Sequence, residues 1–187
     1  MQTISEAALA TPLPSTDCWS LKPWQQEAVD RVVSRCRQTQ NGFLLYHRVG
    51  SGKTLTMLSI AFNSTPGRKK LIICPQNLMG GYDRKASDVK GLVGDSTTEL
   101  DKFFKKVDVV SLEFFLSSCI NDPDKVIKMC ANKFVGVDEA HNIARFIRSA
   151  DVSVRQPLLN VLQQAFSGSK RIVMMTGTQY LGITSDI

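Results

Sequence analysis

The chain is poor in the residues that build extracellular, metal-caged or membrane-spanning proteins. Its 187 residues include 2 histidines and 5 cysteines, the latter at positions 18, 36, 74, 119 and 130. The cysteines are odd in number, scattered and never paired as CxxC, which argues against a disulfide framework or a zinc ribbon and for thiols in a reducing compartment. No apolar run approaches the ~20 residues that cross a bilayer. The N-terminus has no basic stretch followed by an apolar one, so no secretory signal is visible. The expected location is intracellular and soluble, in nucleus or cytoplasm. Acidic residues are also in short supply, 17 against 23 Lys and Arg, for a net charge of +6. That sign favours a polyanionic partner. The basic residues are nevertheless spread over Arg68-Lys69-Lys70, Lys102 with Lys105-Lys106, Arg145 with Arg148, and Lys170-Arg171, as on an ordinary solvated surface. Neither an internal repeat nor a low-complexity tract is present.

What is there suits one α/β domain with a core of good size. Residues 1–18, with Pro12, Pro14 and no periodicity, are expected to form a loose arm, and the domain is expected to run from 19 to 187. Pro23 suits the first turn of a helix whose apolar face carries Trp24, Ala28, Val32 and Cys36, with Val29 and Val33 beside them, stopped by Asn41-Gly42. Short apolar strands are expected at Phe43–Tyr46, Leu71–Cys74, Val107–Ser111, Phe134–Val137 and Arg171–Met175. Helices are expected at Lys53–Phe62, Thr97–Phe104, Leu112–Cys119, Asp124–Cys130 and Gln156–Phe166. Such alternation predicts a mainly parallel sheet covered by helices on both faces, a three-layer fold.

The richest stretch is Leu44–Ile60, LLYHRVGSGKTLTMLSI, an apolar strand, a glycine-bounded turn and an apolar helix. Gly50 and Gly52 let the backbone curl so that successive N–H groups face an anion, and the following helix start adds its own free N–H groups and positive dipole end. Lys53 can reach the β- and γ-phosphates of a nucleotide, and the Thr54 hydroxyl can ligate Mg²⁺. The strict phosphate-loop pattern fails at its first residue, where His47 stands in place of Gly. Further on, Phe134–Val137 ends in Asp138-Glu139-Ala140-His141. A buried strand delivering carboxylates at its carboxyl end is where open α/β sheets place their chemistry. Asp138 is placed to hold Mg²⁺ and Glu139 to orient and deprotonate a water. Together the two motifs point to a nucleoside triphosphatase.

The ordered set resembles the first RecA-like domain of a superfamily-2 helicase or translocase, with the Swi/Snf-type branch nearest. Leu21-Lys22-Pro23-Trp24-Gln25 resembles that branch's opening motif, and His47 through Thr54 resembles motif I. Leu71-Ile72-Ile73-Cys74-Pro75, with Leu78 and Tyr82 following, resembles motif Ia, and Asp108-Val109-Val110-Ser111 with Glu113 resembles the weaker motif after it. VDEAHN resembles motif II, and Met175-Thr176-Gly177-Thr178 resembles motif III. The resemblance spans about residues 21–187. His47 and the terminal Ser185-Asp186-Ile187 look more like the members from large DNA viruses, which would place the protein in a viral factory or virion.

The resemblance implies ATP and Mg as cofactors and nucleic acid, duplex DNA above all, as partner. It implies a binding loop of His47, Arg48, Val49, Gly50, Ser51, Gly52, Lys53 and Thr54, and an adenine-reading role for Gln25. Motif Ia would contact the DNA backbone, and His141, Thr176 and Thr178 would couple nucleotide state to DNA. Gln179 replaces the usual Pro after TGT. A second RecA-like lobe, source of the facing arginine, does not follow within the 187 residues, so the isolated lobe is expected to hydrolyse ATP very slowly. The alternative function is a non-catalytic nucleotide- or DNA-binding module. Trp24 is expected to pack as core, His47 to hydrogen-bond the loop, and Arg145 and Arg148 to be solvated.

Overall fold

The computed structural model describes residues 19–36, 42–48, 50–85, 89 and 98–177. The expected arm over 1–18, Val49, Thr178 and Gln179 lie outside them. The elements are α1 (Pro23–Cys36), β1 (Gly42–Tyr46), α2 (Lys53–Ser64), β2 (Lys70–Cys74), a 3₁₀ helix (Gln76–Tyr82), α3 (Thr98–Phe104), β3 (Val107–Ser111), α4 (Leu112–Asn121), α5 (Pro123–Cys130), β4 (Phe134–Val137), α6 (His141–Ser149), α7 (Val152–Ser167) and β5 (Arg171–Thr176). The five strands form one sheet in the order β1-β5-β4-β2-β3. Every pairing is parallel, so the α/β fold expected from the alternating pattern is present.

The central strands show why they read as continuous apolar runs. All residues of β2 and β4 are buried, and their side chains alternate between two cores. On one face Ile72, Cys74, Phe134, Val173 and Met175 pack with Val29, Val32, Leu58 and Ile60 of α1 and α2. On the other, Leu71, Ile73, Val135 and Val137 pack with Phe115, Cys130, Leu158 and Leu162 of α4, α5 and α7. This period of two is what a sheet covered on both sides requires. Gly136 is the one small residue in β4. A Cβ there would lie 2.7 Å from the Met57 sulfur and 2.8 Å from Ile72 Cδ1, so the glycine lets α2 press close to the sheet.

Local chemistry sets the helix boundaries. Ser111 caps α4 by accepting from Phe114 N, and Asp122 caps α5 by accepting from Lys125 N, with Pro123 at the first helical position. The expected start of α7 at Gln156 is four residues late. Pro157 reads as a helix-start signal, yet the helix begins at Val152. Arg155 holds that extra turn in place by donating to the carbonyls of Ile147, Arg148 and Ala150 at the end of α6. Among the described residues no helix is long and apolar enough to cross a membrane.

Helix α1 buries the apolar face that its sequence suggests, with one exchange near its start. Trp24, expected in the core, is 49% exposed, whereas its neighbour Gln25 is 3% exposed. Ala28, Val29, Val32 and Val33 form the buried face, and the Trp24 ring instead lies under the Lys22 ammonium, 5.1 Å from its centroid. The amide of Gln25 has specific partners inside, and a large apolar ring pays little penalty outside when a cation covers it.

Candidate active site

The carboxyl ends of β1, β4 and β5 converge, and the loops leaving them carry the polar groups. After β1 the ladder continues one step, with His47 N donating to Thr176 O at 3.0 Å. The chain then turns through Gly50 and Gly52, both with φ near +78°. Nothing lies within 4 Å of a Cβ built on Gly50, so the left-handed backbone, and not crowding, explains that glycine. Gly52 begins α2 and no side chain caps the helix start, leaving its first N–H groups aimed into the loop. The Ser51 hydroxyl and His47 Nδ1 are buried without a hydrogen-bond partner. The expected bond from the His47 ring to the loop is not made through Nδ1. Burial and then the Lys53 charge hold that ring's pKa below 6.5. Arg48 is exposed.

Gln25 underpins the loop. Its Oε1 accepts from Lys22 N at 2.9 Å, and its Nε2 donates to Ser51 O at 3.1 Å and Gly52 O at 3.2 Å. Both amide protons are thus spent on the loop, leaving one lone pair on Oε1 for any other partner. A Cβ on Gly52 would sit 2.4 Å from Gln25 Nε2. Gln25 and Gly52 fit only as a pair.

At the end of β4, Asp138 N donates to Ile73 O at 2.8 Å, carrying the ladder to the acidic pair. Asp138 is 1% exposed. Its Oδ1 accepts from Glu139 N at 2.9 Å and its Oδ2 from the Tyr82 hydroxyl at 2.7 Å. Burial raises its pKa, against those two hydrogen bonds and the Lys53 charge. Glu139 has φ +50°, a left-handed conformation that costs a non-glycine residue on the order of 1 kcal/mol and is sustained only by its surroundings. Those surroundings are specific. Glu139 Oε1 is ion-paired with the Lys53 ammonium, and Oε2 accepts from Gly177 N at 3.3 Å. His141 Nδ1 lies 3.3 Å from Oε2 and 3.0 Å from Thr176 Oγ1. Burial works to raise the Glu139 pKa, but the Lys53 ammonium, the Gly177 N–H and His141 outweigh it and hold the carboxyl below its usual value. The His141 ring is pushed below 6.5, by burial first.

Lys53, Gln25, Gly50, Ser51, Gly52, Asp138, Glu139, His141 and Thr176 thus gather at one place, while Val49 and Thr178 lie outside the described residues. Arg145 and Arg148 are exposed on α6. Two members of the site escaped the sequence reading. Gly177 contributes only its backbone N–H, for which no side-chain signal exists. Tyr82 was read as part of a DNA-contact motif, yet it is 2% exposed with its hydroxyl on Asp138. A tyrosine seven residues after a strand's closing proline carries no signal of where its hydroxyl ends.

Thr54 and Asp138 supply the hard oxygen donors that suit Mg²⁺. Thr54 lies against the 3₁₀ helix, its Oγ1 and Cγ2 each 3.9 Å from a Cβ built on Gly81, next to the Tyr82 that holds Asp138. Beside them the uncapped helix start, the open space at Gly50 and the orphaned Ser51 hydroxyl fit a phosphate chain. Among the described residues no cluster of three or more His, Cys, Asp or Glu could hold a metal by itself, so a cation here would complete its shell with phosphate oxygens and water.

Comparison with known proteins identifies the family of the chain. Residues 19–180 match the family described as "Type III restriction enzyme, res subunit". The chain is 30% identical over 151 residues to the "Termination factor NPH-I homolog" of African swine fever virus, covering 75% of this chain and 20% of that protein. It is 27% identical over 158 residues to a protein of Acanthamoeba polyphaga mimivirus named as a candidate ATP-dependent RNA helicase, covering 73% of this chain and 26% of that one. The chain thus spans about a fifth to a quarter of the length of these curated relatives. Among solved structures it is similar to the UvsW helicase from bacteriophage T4, with a TM-score of 0.47 and 16% identity over 84% of this chain and 52% of that one. The match over most of its length makes this chain a member of the restriction-enzyme res-subunit family, a helicase-type ATP-binding domain with the RecA-like fold.

Proposed function

We propose that this chain is the Mg·ATP-binding and hydrolysing lobe of a nucleic-acid-dependent ATPase that moves on duplex DNA when a second RecA-like lobe faces it. The observation that carries this reading is the meeting of Lys53, from the glycine turn after β1, with Asp138 and Glu139, from the end of β4, beside an uncapped helix start. In this reading the backbone of residues 47–54 cradles the phosphates and Lys53 leaves Glu139 to bind their terminal oxygens. Gln25 stabilises the loop and offers its remaining lone pair to the base. Thr54 and Asp138 hold Mg²⁺, which neutralises charge on the phosphate oxygens. Glu139 takes a proton from the attacking water, its carboxylate kept ionised and aimed by Gly177 N–H and His141. His141 and Thr176, joined at 3.0 Å, link this carboxylate to the end of β5, and Thr178 extends that coupling path.

A facing arginine is worth about 10³–10⁵ in rate in enzymes of this general kind. The described residues place none against Glu139, so the isolated chain should bind ATP and turn it over very slowly, with little stimulation by DNA. Steady-state phosphate release with and without duplex DNA tests this, alongside calorimetric titration of wild type and Lys53→Ala. Supplying a second lobe by fusion should raise turnover by orders of magnitude. Robust, DNA-stimulated turnover by the 187-residue chain alone would overturn the assignment of a one-walled site. Equal nucleotide affinity in wild type and Lys53→Ala would overturn the phosphate loop.

A further inference from the structure

The Tyr82 hydroxyl is bonded to the carboxylate assigned to the cation, and the proposed function gives it no task. The phenol is almost wholly buried, at 2% exposure. Its ring belongs to the buried cluster on the α1–α2 face of the sheet. Its position is fixed at both ends. The 3₁₀ helix follows directly on Pro75 at the carboxyl end of β2. Two residues beyond the phenol, Arg84 is ion-paired with Asp101 of α3. A buried hydroxyl is costly unless bonded, and this one is bonded to Asp138 Oδ2 at 2.7 Å.

The direction of this bond has a chemical consequence. An ionised carboxylate only accepts, so the phenol proton points at Asp138. Asp138, held through Oδ1 by Glu139 N and through Oδ2 by Tyr82, cannot swing away. We propose that Tyr82 is the positioning residue of the cation site, holding the Asp138 carboxylate so that its remaining lone pairs face one divalent ion. The inference rests on the reading of this site as one for a metal–nucleotide complex. Removal of the hydroxyl leaves the ring and its packing in place, but frees Asp138 to rotate. Outer groups of this kind are commonly worth ~10–100-fold in metal affinity.

The test measures binding, not turnover. A fluorescent, non-hydrolysable ATP analogue is held at fixed concentration while MgCl₂ is titrated into wild type and Tyr82→Phe, with a parallel series in EDTA. The Mg²⁺ midpoint should rise about tenfold or more in Tyr82→Phe, while analogue affinity in EDTA stays the same in both. In an Asp138→Asn background, Tyr82→Phe should add nothing further. Labelling with 3-fluorotyrosine gives a second reading that requires no variant at position 82. Tyr46→Phe and Tyr180→Phe leave one resonance, that of Tyr82, and it should shift when Mg²⁺ joins the bound analogue but not with the analogue alone. An unchanged Mg²⁺ midpoint, or an unmoved Tyr82 resonance, overturns the inference while leaving the nucleotide site intact. Wild-type protein that binds no analogue at any Mg²⁺ concentration overturns the nucleotide reading and this inference with it.

Discussion

The Lys53 ammonium is paired with the Glu139 carboxylate, two residues 86 positions apart in the chain, and both are largely buried. The pair holds the phosphate-loop lysine against the carboxylate proposed as the base, so each occupies the other until a phosphate competes for the lysine. Glu139→Gln removes the competing charge. We expect this variant to bind Mg·ATP as tightly as wild type or more tightly, while turnover measured in a fusion that supplies a second lobe falls by ~10²-fold or more. A calorimetric affinity clearly weaker than wild type would contradict the exchange of partners.

Gly52→Ala places a methyl group where Gln25 Nε2 now lies, at a left-handed residue. The backbone strain costs about 1–2 kcal/mol, and displacement of Gln25 breaks its bonds to Ser51 O and Gly52 O. The expected result is a strong loss of nucleotide affinity with only a modest fall in thermal midpoint. Gly50→Ala meets no such contact and should lose less affinity. Equal losses in the two variants would show that Gln25 does not brace the loop.

Gly136→Ala probes the core without touching a polar group. The added Cβ would crowd Met57, Ile72 and Phe134, and overpacking of this sort costs about 1–3 kcal/mol. Denaturant titration should show a lower midpoint with an unchanged slope. Stability equal to wild type would mean that α2 can shift away from the sheet, in which case the phosphate loop should move with it and nucleotide affinity should fall.

Acid should destabilise the fold through its histidines. Burial first, then the Arg145 and Lys53 charges, lowers the His141 pKa from 6.5, against the pull of Glu139 and Asp138. His47 is lowered from the same value by burial and Lys53. As pH falls through about 6.5 the unfolded chain takes up these protons before the folded one does, so stability present above that pH is lost below it. Thermal midpoints at pH 7.0 and 5.5 should differ in that direction, and His141→Asn should narrow the gap. A gap of the same size in the variant would assign the acid sensitivity elsewhere.

Nucleic-acid binding by this lobe should be weak, sequence-independent and dominated by phosphate contacts, given the net charge of +6. Each neutralised phosphate releases counterions, so affinity for duplex DNA should drop steeply between ~50 and ~200 mM salt. Fluorescence anisotropy at several salt concentrations checks this, and a flat profile would rule out a phosphate-tracking surface.

Features that depend on near neighbours were legible in the chain. Short apolar runs such as Leu71–Cys74 and Phe134–Val137 suit strands buried on both faces, and the observed β2 and β4 are those runs. The glycine turn before Lys53 and the acidic residues after Val137 follow from the same short-range logic, since a left-handed φ or a strand end is set within a few residues. Helix phase was already less legible. Trp24 and Gln25 differ by one residue, and their exchange of inside and outside depended on the carbonyls of Ser51 and Gly52, 26 and 27 residues away. Which polar groups meet depends on the assembled sheet. The strand order β1-β5-β4-β2-β3 sets the ends of β1, β4 and β5 side by side. That order brings Lys53 to Glu139 across 86 residues, Tyr82 to Asp138 across 56, and Gly177 N–H to Glu139 across 38. A backbone N–H or a lone tyrosine carries no local mark of such a partner, because its role comes from the sheet that carries it and not from the residues on either side.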